Sequence, residues 1–388
     1  MDKKKVALLS AGHFATDINS GALPAVLPFL RDSLSLTYQA TGGIMFANSL
    51  LSAVTQPLFG LLADHFRKPW LIPLGVILAG LGLCLTGLVG SYEAVLIAVA
   101  VSGLGAALFH PPAARLANKA GGAQKGLAVS LFSIGGNAGF VIGPPLAVLL
   151  VGSFGLGATA FFGVLAVFTS LTLAFCVLRV KEDGAAVGSG AAQPPRENNW
   201  RQFGIISVVI VVRSAVLTGL MTFIPLYLMQ HFDVVKTQSA MAVTLLGFFG
   251  VASNIAGGFL SDRLGYGRIL RCAYLPLPVL LFIMAHAGSA WTVWALVPFL
   301  GFCTYFAFGP TVVLGQQFLA RNIAFASGVT MGLGTAMGGL CSPILGWIGD
   351  NWGLDATFLV MAVLAVFATA ATFFIDARVN AETPGARK

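Results

Sequence analysis

Two stretches decide how this chain is organised: Gly60-Leu-Leu-Ala-Asp64-His-Phe-Arg67-Lys68 and Gly258-Phe-Leu-Ser-Asp262-Arg263-Leu-Gly265-Tyr-Gly267-Arg268. Each ends an apolar run with an acid followed by basic residues, and the two aspartates stand 198 residues apart. Pro144 and Pro343, each within a glycine-rich run, are 199 apart. Asp17 and Arg213 are 196 apart, each twelve residues beyond a basic residue, Lys5 or Arg201. Three landmarks at nearly one offset mark a unit of half the chain used twice.

Working outward, apolar runs recur with short polar punctuation. The first half is predicted to span at Val6–Leu30, Tyr38–Leu62, Trp70–Val89, Ala94–Leu116, Gly126–Val151 and Gly157–Leu178. The second half is predicted to span at Phe203–Met229, Thr237–Leu260, Ile269–Ala287, Trp291–Phe318, Ala324–Ile348 and Asp355–Ile375. The expected fold is therefore all-α, with twelve transmembrane helices in two pseudo-symmetric six-helix bundles. The expected divisions are residues 1–179, a cytoplasmic linker at 180–202, and residues 203–388. Composition agrees: 57% of the 388 residues are hydrophobic and 9% charged, against about 25% charged in a soluble domain. A span takes roughly 20 apolar residues, so twelve leave no room for a sizeable extramembrane domain. Lys3–Lys5 precede the first span, but no small-residue cleavage site follows, so a cleaved signal peptide is not expected.

The net charge of +8 would suggest nucleic acid in a soluble protein; here its distribution says otherwise. With both termini placed in the cytoplasm, 19 of the 22 Lys and Arg fall on that side. Arg31 and Lys236 fall opposite, and Arg213 lies within a span. That is the bias the positive-inside rule describes, and it leaves no basic face for nucleic acid. The five cysteines (Cys84, Cys176, Cys272, Cys303, Cys341) lie in apolar runs without CxxC spacing, so neither a metal site nor a disulfide framework is expected. No Gly-x-x-x-x-Gly-Lys-[Ser/Thr] phosphate cradle, HExxH or Gly-x-Ser-x-Gly elbow occurs. The expectation is a non-enzymatic protein with no cofactor, driven by an ion gradient. A duplicated six-helix unit is the architecture of a secondary transporter.

The Gly-x-Leu-[Ala/Ser]-Asp segments resemble the loop signature of the major facilitator superfamily. Gly139-x-x-x-Gly143-Pro144 resembles that superfamily's antiporter motif. Gly12-His13-x-x-x-Asp17, Gln56-Pro57-x-x-Gly60, Phe109-His110-Pro111, Gly135-Gly136-Asn137 and Arg213-Ser214…Phe223-x-Pro225-Leu-Tyr227 resemble the fosmidomycin resistance family of bacterial efflux pumps. That family tends to carry Glu after His-Pro; Pro112 stands there in this chain, so a role for that Glu does not carry over. The resemblance implies a proton-coupled antiporter in the bacterial inner membrane, exporting a small compound as a monomer. An importer or facilitator on the same fold is the alternative, and a non-transporting receptor or scaffold a more distant one.

A charge at the bilayer centre costs about 2.5–3.5 kcal/mol on insertion scales, yet His13, Asp17, His110 and Arg213 all lie within predicted spans. His13 and Asp17, four apart, share a helix face. Asp17 lies roughly 18 Å beyond Lys5, near mid-membrane, with Arg213 at a similar depth. Proton coupling is therefore assigned to Asp17, His13 and His110. His110 has an alternative as a donor to a carbonyl freed by Pro111-Pro112. Arg213 either holds an anionic substrate or meets Asp17, across a shared chamber or in a permanent ion pair fastening the halves. Gln56, Asn137, Tyr227, Tyr305 and Phe306 (with Phe302) are further candidates to line the substrate path, their alternative being ordinary interhelical packing. The superfamily resemblance implies gating by Asp64, Arg67, Lys68, Asp262, Arg263 and Arg268. Gly139, Gly143, Pro144, Gly338 and Pro343 are expected to pack or hinge the interface between the halves.

Overall fold

A computed structural model describes residues 1–65, 70–122, 125–177, 197–322, 325–326, 329–330 and 334–375. The described residues form helices and no strand. They are α1 (Lys3–Leu34), α2 (Tyr38–His65), α3 (Leu71–Thr86), α4 (Tyr92–Ala120), α5 (Lys125–Phe154) and α6 (Ala160–Val177) in the first half. The second half holds α7 (Trp200–Phe232), α8 (Lys236–Leu264), α9 (Tyr266–Tyr274), α10 (Leu277–Ala285), α11 (Ala290–Phe306), α12 (Phe308–Phe318), α13 (Gly334–Trp352) and α14 (Leu354–Phe373).

The pairs α9–α10 and α11–α12 are each one rod broken by proline chemistry, which makes twelve long helical units among the described residues. Pro276 lacks an amide proton and its ring would strike the carbonyl four residues back; the break falls there. Pro310 similarly excludes an unbroken helix through Phe306, and Ala307 marks that junction. Eight segments of the described residues are long and apolar enough to cross a membrane, and α3 is apolar but shorter. The chain is a multi-pass membrane protein. The first helix, with His13, Thr16, Asp17 and Asn19 in its middle, is not among those eight.

The repeat is visible in how the two longest helices begin and end. Asp2 caps α1 by accepting from the Lys5 amide, and Asn199 caps α7 by accepting from the Gln202 amide. Both end on a non-glycine residue in the left-handed region, Ser35 (φ 51°) and Asp233 (φ 50°). At 32 and 33 residues, each is about 48 Å long, more than the hydrocarbon core requires. The helix at Trp200 starts inside the stretch expected as linker; residues 178–196 lie outside the described set.

Within the first half α1 packs chiefly on α5, α3 on α4 and α6, and α2 on α4; within the second, α8 packs on α11, α7 on α13, and α10 on α14. Across the halves α2 meets α13 and α5 meets α8. These two contacts exchange under the repeat, as a pseudo-twofold arrangement requires. The buried apolar side chains form one large cluster from residues 203–375, joined by Tyr38. Two clusters lie in the first half, one joined by Ala240.

Candidate functional site

The first half places Asp17 on α1 against α4 and α5. Asp17 is 6% exposed. His13 Nε2 lies 3.1 Å from Asp17 Oδ2, and His110 Nε2 lies 2.9 Å from Oδ1. Both carboxylate oxygens are thus engaged by imidazoles, one from the next turn of the same helix and one from α4. His13 is fixed further: its ring stacks on Phe132 at 4.1 Å between centroids, and Nδ1 lies 2.8 Å from the Phe132 carbonyl oxygen.

Those distances constrain the protons. A carbonyl oxygen only accepts, so Nδ1 of His13 carries a hydrogen. The facing lone pairs of a bare Nε2 and an ionised Oδ2 would repel at 3.1 Å. One proton therefore occupies that gap, on an imidazolium or on the carboxyl group. With a neutral His110 donating to Oδ1, the cluster then carries no net charge, which suits its burial. Removing the shared proton leaves one negative charge. Two imidazoles and a carboxylate are also a donor set for a divalent transition metal, their ligand atoms lying within 4.8 Å of one another.

Glycine makes this packing possible. A Cβ on Gly136 would fall 2.5 Å from His13 Nε2 and 2.7 Å from Asp17 Oδ2. Gly139 and Gly143 bring α5 onto the backbone of α1 at Phe14–Ile18 and Ile18–Ala22, and Gly21 of α1 returns the contact against Phe140. The small residues expected between the halves thus mainly build seams within them. Gly338 likewise packs α13 on α7, its amide donating to Ser214 Oγ at 3.2 Å. Gly339 and Pro343 do meet the other half, facing Ser49 and Gly42 of α2. Pro144 is buried in α5, beside Gly143.

Arg213 sits 3% exposed on α7. Its Nη1 donates to the Thr304 carbonyl at 2.9 Å, in the last turn of α11. Carbonyls there have no partner within their own helix. The guanidinium also lies 4.7 Å from the centre of the Phe308 ring, across the α11–α12 junction. Among the described residues it makes no ion pair with Asp17 or any other acid. The expected fastener is therefore not present, and each charge is engaged by its own half. The repeat offset explains this. Asp17 projects by the 198-residue offset onto Ala215, and Arg213 is two residues short of it, about 200° away around the helix.

The other candidates are distributed unevenly. Tyr305 is half-buried near Arg213, while Phe306 is buried with its ring 4.5 Å from that of Phe302. Tyr227 lies fourteen residues along α7, about 21 Å from Arg213, among Phe358 and a His231–Asp355 pair at 3.1 Å. Asn137 is half-buried beside Gly136. Arg263 and Arg268 are exposed, the former over the Phe259 ring at 4.3 Å. Arg67, Lys68 and the side chains of Gln56, Asp64 and Asp262 lie outside the described residues.

A latch between the halves went unread in the sequence. It lies at the end of the bundle where α1 finishes. Lys236 of α8 meets Asp32 of α1 at 2.5 Å. Asp350, near the end of α13, accepts from the Tyr38 and Gln39 amides of α2 at 2.7 and 2.8 Å. A carboxylate at a helix N-terminus is favourable for both hydrogen bonding and the helix dipole. Asp350 reads in sequence as a loop charge, because its partner is a backbone end more than 300 residues away.

Comparison with known proteins accords with this geometry. The chain is 28% identical over 375 residues to the fosmidomycin resistance protein of Escherichia coli (strain K12), covering 95% of this chain and 92% of that protein. It is 29% identical over 367 residues to YfnC of Bacillus subtilis (strain 168), an uncharacterized MFS-type transporter, covering 91% and 88%. A bacterial homologue of the human lysosomal transporter Spinster shares the fold, with a TM-score of 0.82 at 16% identity over 95% of this chain and 96% of that one. With residues 9–340 matching the sequence profile of the group, this chain belongs to the Major Facilitator Superfamily.

Proposed function

We propose that this protein is a proton-coupled antiporter that exports a small compound, anionic if Arg213 binds it, by alternating access. The observation that carries the reading is the single proton required between His13 Nε2 and Asp17 Oδ2. In the proposed cycle the cluster takes that proton from outside. The two bundles, 1–179 and 203–388, then rock about the contacts of α2 with α13 and α5 with α8. The proton leaves inward as substrate leaves outward. Groups able to tune the exchange are His13 and Asp17 on α1 and His110 on α4; among the described residues α5 contributes the Phe132 carbonyl and ring and the surface of Gly136.

The fosmidomycin resistance protein among the relatives supports export of an antibiotic-like compound. The charge bias supports an inner-membrane orientation with both termini, and the 180–202 linker, in the cytoplasm. On that orientation the Lys236–Asp32 and Asp350 latch closes the outer side. The gate assigned to Asp64, Arg67, Lys68, Asp262, Arg263 and Arg268 closes the inner one. A protein built this way works as a monomer, with protons, substrate and the bilayer as its partners, and without cofactor, metal or nucleic acid.

The decisive test is Asp17→Asn in proteoliposomes under an imposed pH gradient, with efflux and uptake followed separately. Gradient-driven efflux is expected to fall to that of empty vesicles. Full efflux in the variant would remove Asp17 from the mechanism, and gradient-driven uptake without efflux would make the protein an importer.

A further inference from the structure

His13, Asp17 and His110 offer three ligand atoms within 4.8 Å of one another. Two ligands of one transition ion, each about 2.0–2.2 Å from it, stand about 3.0–3.5 Å apart. The His13 Nε2–Asp17 Oδ2 and His110 Nε2–Asp17 Oδ1 separations, 3.1 and 2.9 Å, are already close to that span. The two imidazole rings meet edge to face at 74°, with centroids 5.1 Å apart. Their nitrogens therefore approach the carboxylate from different directions, as ligands around one centre must.

His13 carries the outer contact that metal-bound imidazoles commonly make. Its Nδ1–H donates to the Phe132 carbonyl at 2.8 Å and its ring stacks on Phe132, which fixes the tautomer and leaves Nε2 as the ligand. The donor set also names the ion. Imidazole nitrogen with a single carboxylate suits zinc, cobalt or nickel, whereas magnesium and calcium take oxygen throughout. Three protein ligands are one short of a closed tetrahedral site, so the ion keeps an open position and exchanges. The His110 side chain, 29% exposed against 8% for Asp17, is the accessible edge of the cluster. Binding sends the one shared proton to water and moves the His110 hydrogen from Nε2 to Nδ1, freeing both nitrogens for the ion.

We propose that His13, Asp17 and His110 form a reversible site for a divalent transition ion such as zinc, which lies where the shared proton otherwise does and ties α1 to α4. The ion is an inhibitor from outside the working cycle, neither cofactor nor cargo. The site stands on its geometry; the inhibition of transport rests on the antiport reading above and adds a regulator to it.

The test uses the full chain without a polyhistidine tag, stripped of metal with EDTA, in uncharged maltoside detergent. Cobalt(II) is titrated in, its visible d–d absorption is followed, and zinc is then added to displace it. One cobalt per chain is expected, with nitrogen–oxygen bands and no thiolate charge transfer; zinc should displace it and magnesium at the same concentration should not. His13→Gln, His110→Gln and Asp17→Asn should each weaken cobalt affinity by about a hundredfold, at least the cost of losing an outer partner. His286→Gln, in the exposed turn after α10, should leave it unchanged. A wild-type chain that gives no cobalt spectrum would overturn the proposal, as would thiolate bands or an affinity that survives both His13→Gln and His110→Gln. Should the variants not fold, the wild-type spectrum and its displacement by zinc decide alone. In proteoliposomes, zinc is expected to bring proton-driven efflux to near background. Failure here is separable from failure of the antiport reading. Proton-driven efflux from a chain that binds no cobalt or zinc would sink the ion site and leave antiport standing. Zinc held by these three residues with efflux undiminished would uphold the site and remove the cluster from the proton path.

Discussion

Asp17 and Arg213 carry opposite charges at closely similar depth in the two halves, and the halves treat them differently. The acid has both oxygens engaged, by His13 and His110, with a proton required in one of the gaps. The base has one carbonyl, one aromatic face and an unused Nε. A filled cluster suits a particle as small as a proton, which exchanges without rearranging the groups around it. An unfilled one leaves a donor unused in the second half. Duplication supplied two equivalent long helices, and a two-residue difference in where the charge falls gives the two charges different surroundings.

Experiments on the acid side should break this contrast first. His13→Gln and His110→Gln each remove one imidazole from Asp17, but only His13 is anchored on both ring nitrogens. His13→Gln should therefore reduce proton-driven transport to near background. His110→Gln should retain a measurable fraction, about a tenth, with its pH profile displaced. Equal losses would mean that the Phe132 carbonyl does not set the tautomer. A smaller effect comes from the glycine seams. Gly136→Ala puts a methyl group against His13 and Asp17, and overpacking of this kind costs about 1–3 kcal/mol. A lowered melting temperature should come with impaired coupling in Gly136→Ala. Gly338→Ala, on the seam beside Ser214, should lower stability comparably but leave the His13–Asp17 gap undisturbed.

The smallest effect concerns the helix caps. Asp2 lies outside the spanning part of α1, and the Lys5 amide donating to its carboxylate holds its pKa below the ordinary value. Its stabilising contribution is present above the unfolded pKa and is lost as pH falls through the depressed folded one. Asn199, its counterpart on α7, does not titrate. Because Asp2 is well exposed, its charge interactions are screened, and Asp2→Asn should shift the midpoint by a degree or less at neutral pH. Hydrogen exchange at the start of α1, but not α7, should quicken below about pH 4.

Much of this molecule is legible in its sequence. The repeated Gly-x-Leu-[Ala/Ser]-Asp segments, the proline offset and the charge bias lead to twelve helices in two related sets, and the i, i+4 spacing brings His13 to Asp17. What escaped has a common cause: it depends on contacts between residues far apart in the chain. That His110 meets Asp17 and not a carbonyl freed by Pro111-Pro112 is invisible in sequence, because its partner is 93 residues away. Gly139 and Gly143 seal a seam within the first half, which sequence does not reveal because small-residue spacing names a close approach and not the helix approached. Arg213 and Asp17 share a depth, which is easily counted along a helix, but not a direction, which rotation about the helix sets. The 196-residue offset, set against 198 and 199 for the other landmarks, held that rotation all along.

The separation between Asp17 and His110 also bears on how the protein is made. A ribosome adding roughly 5–20 residues per second needs about 5–20 s to supply the second imidazole, and longer to deliver the glycines that admit α5. Until then the first helix carries a carboxylate that only its own His13 can meet, and it lacks the sustained apolarity of the eight strongest segments. Stable residence of the first helix in the bilayer is therefore expected to wait for the fourth and fifth helices.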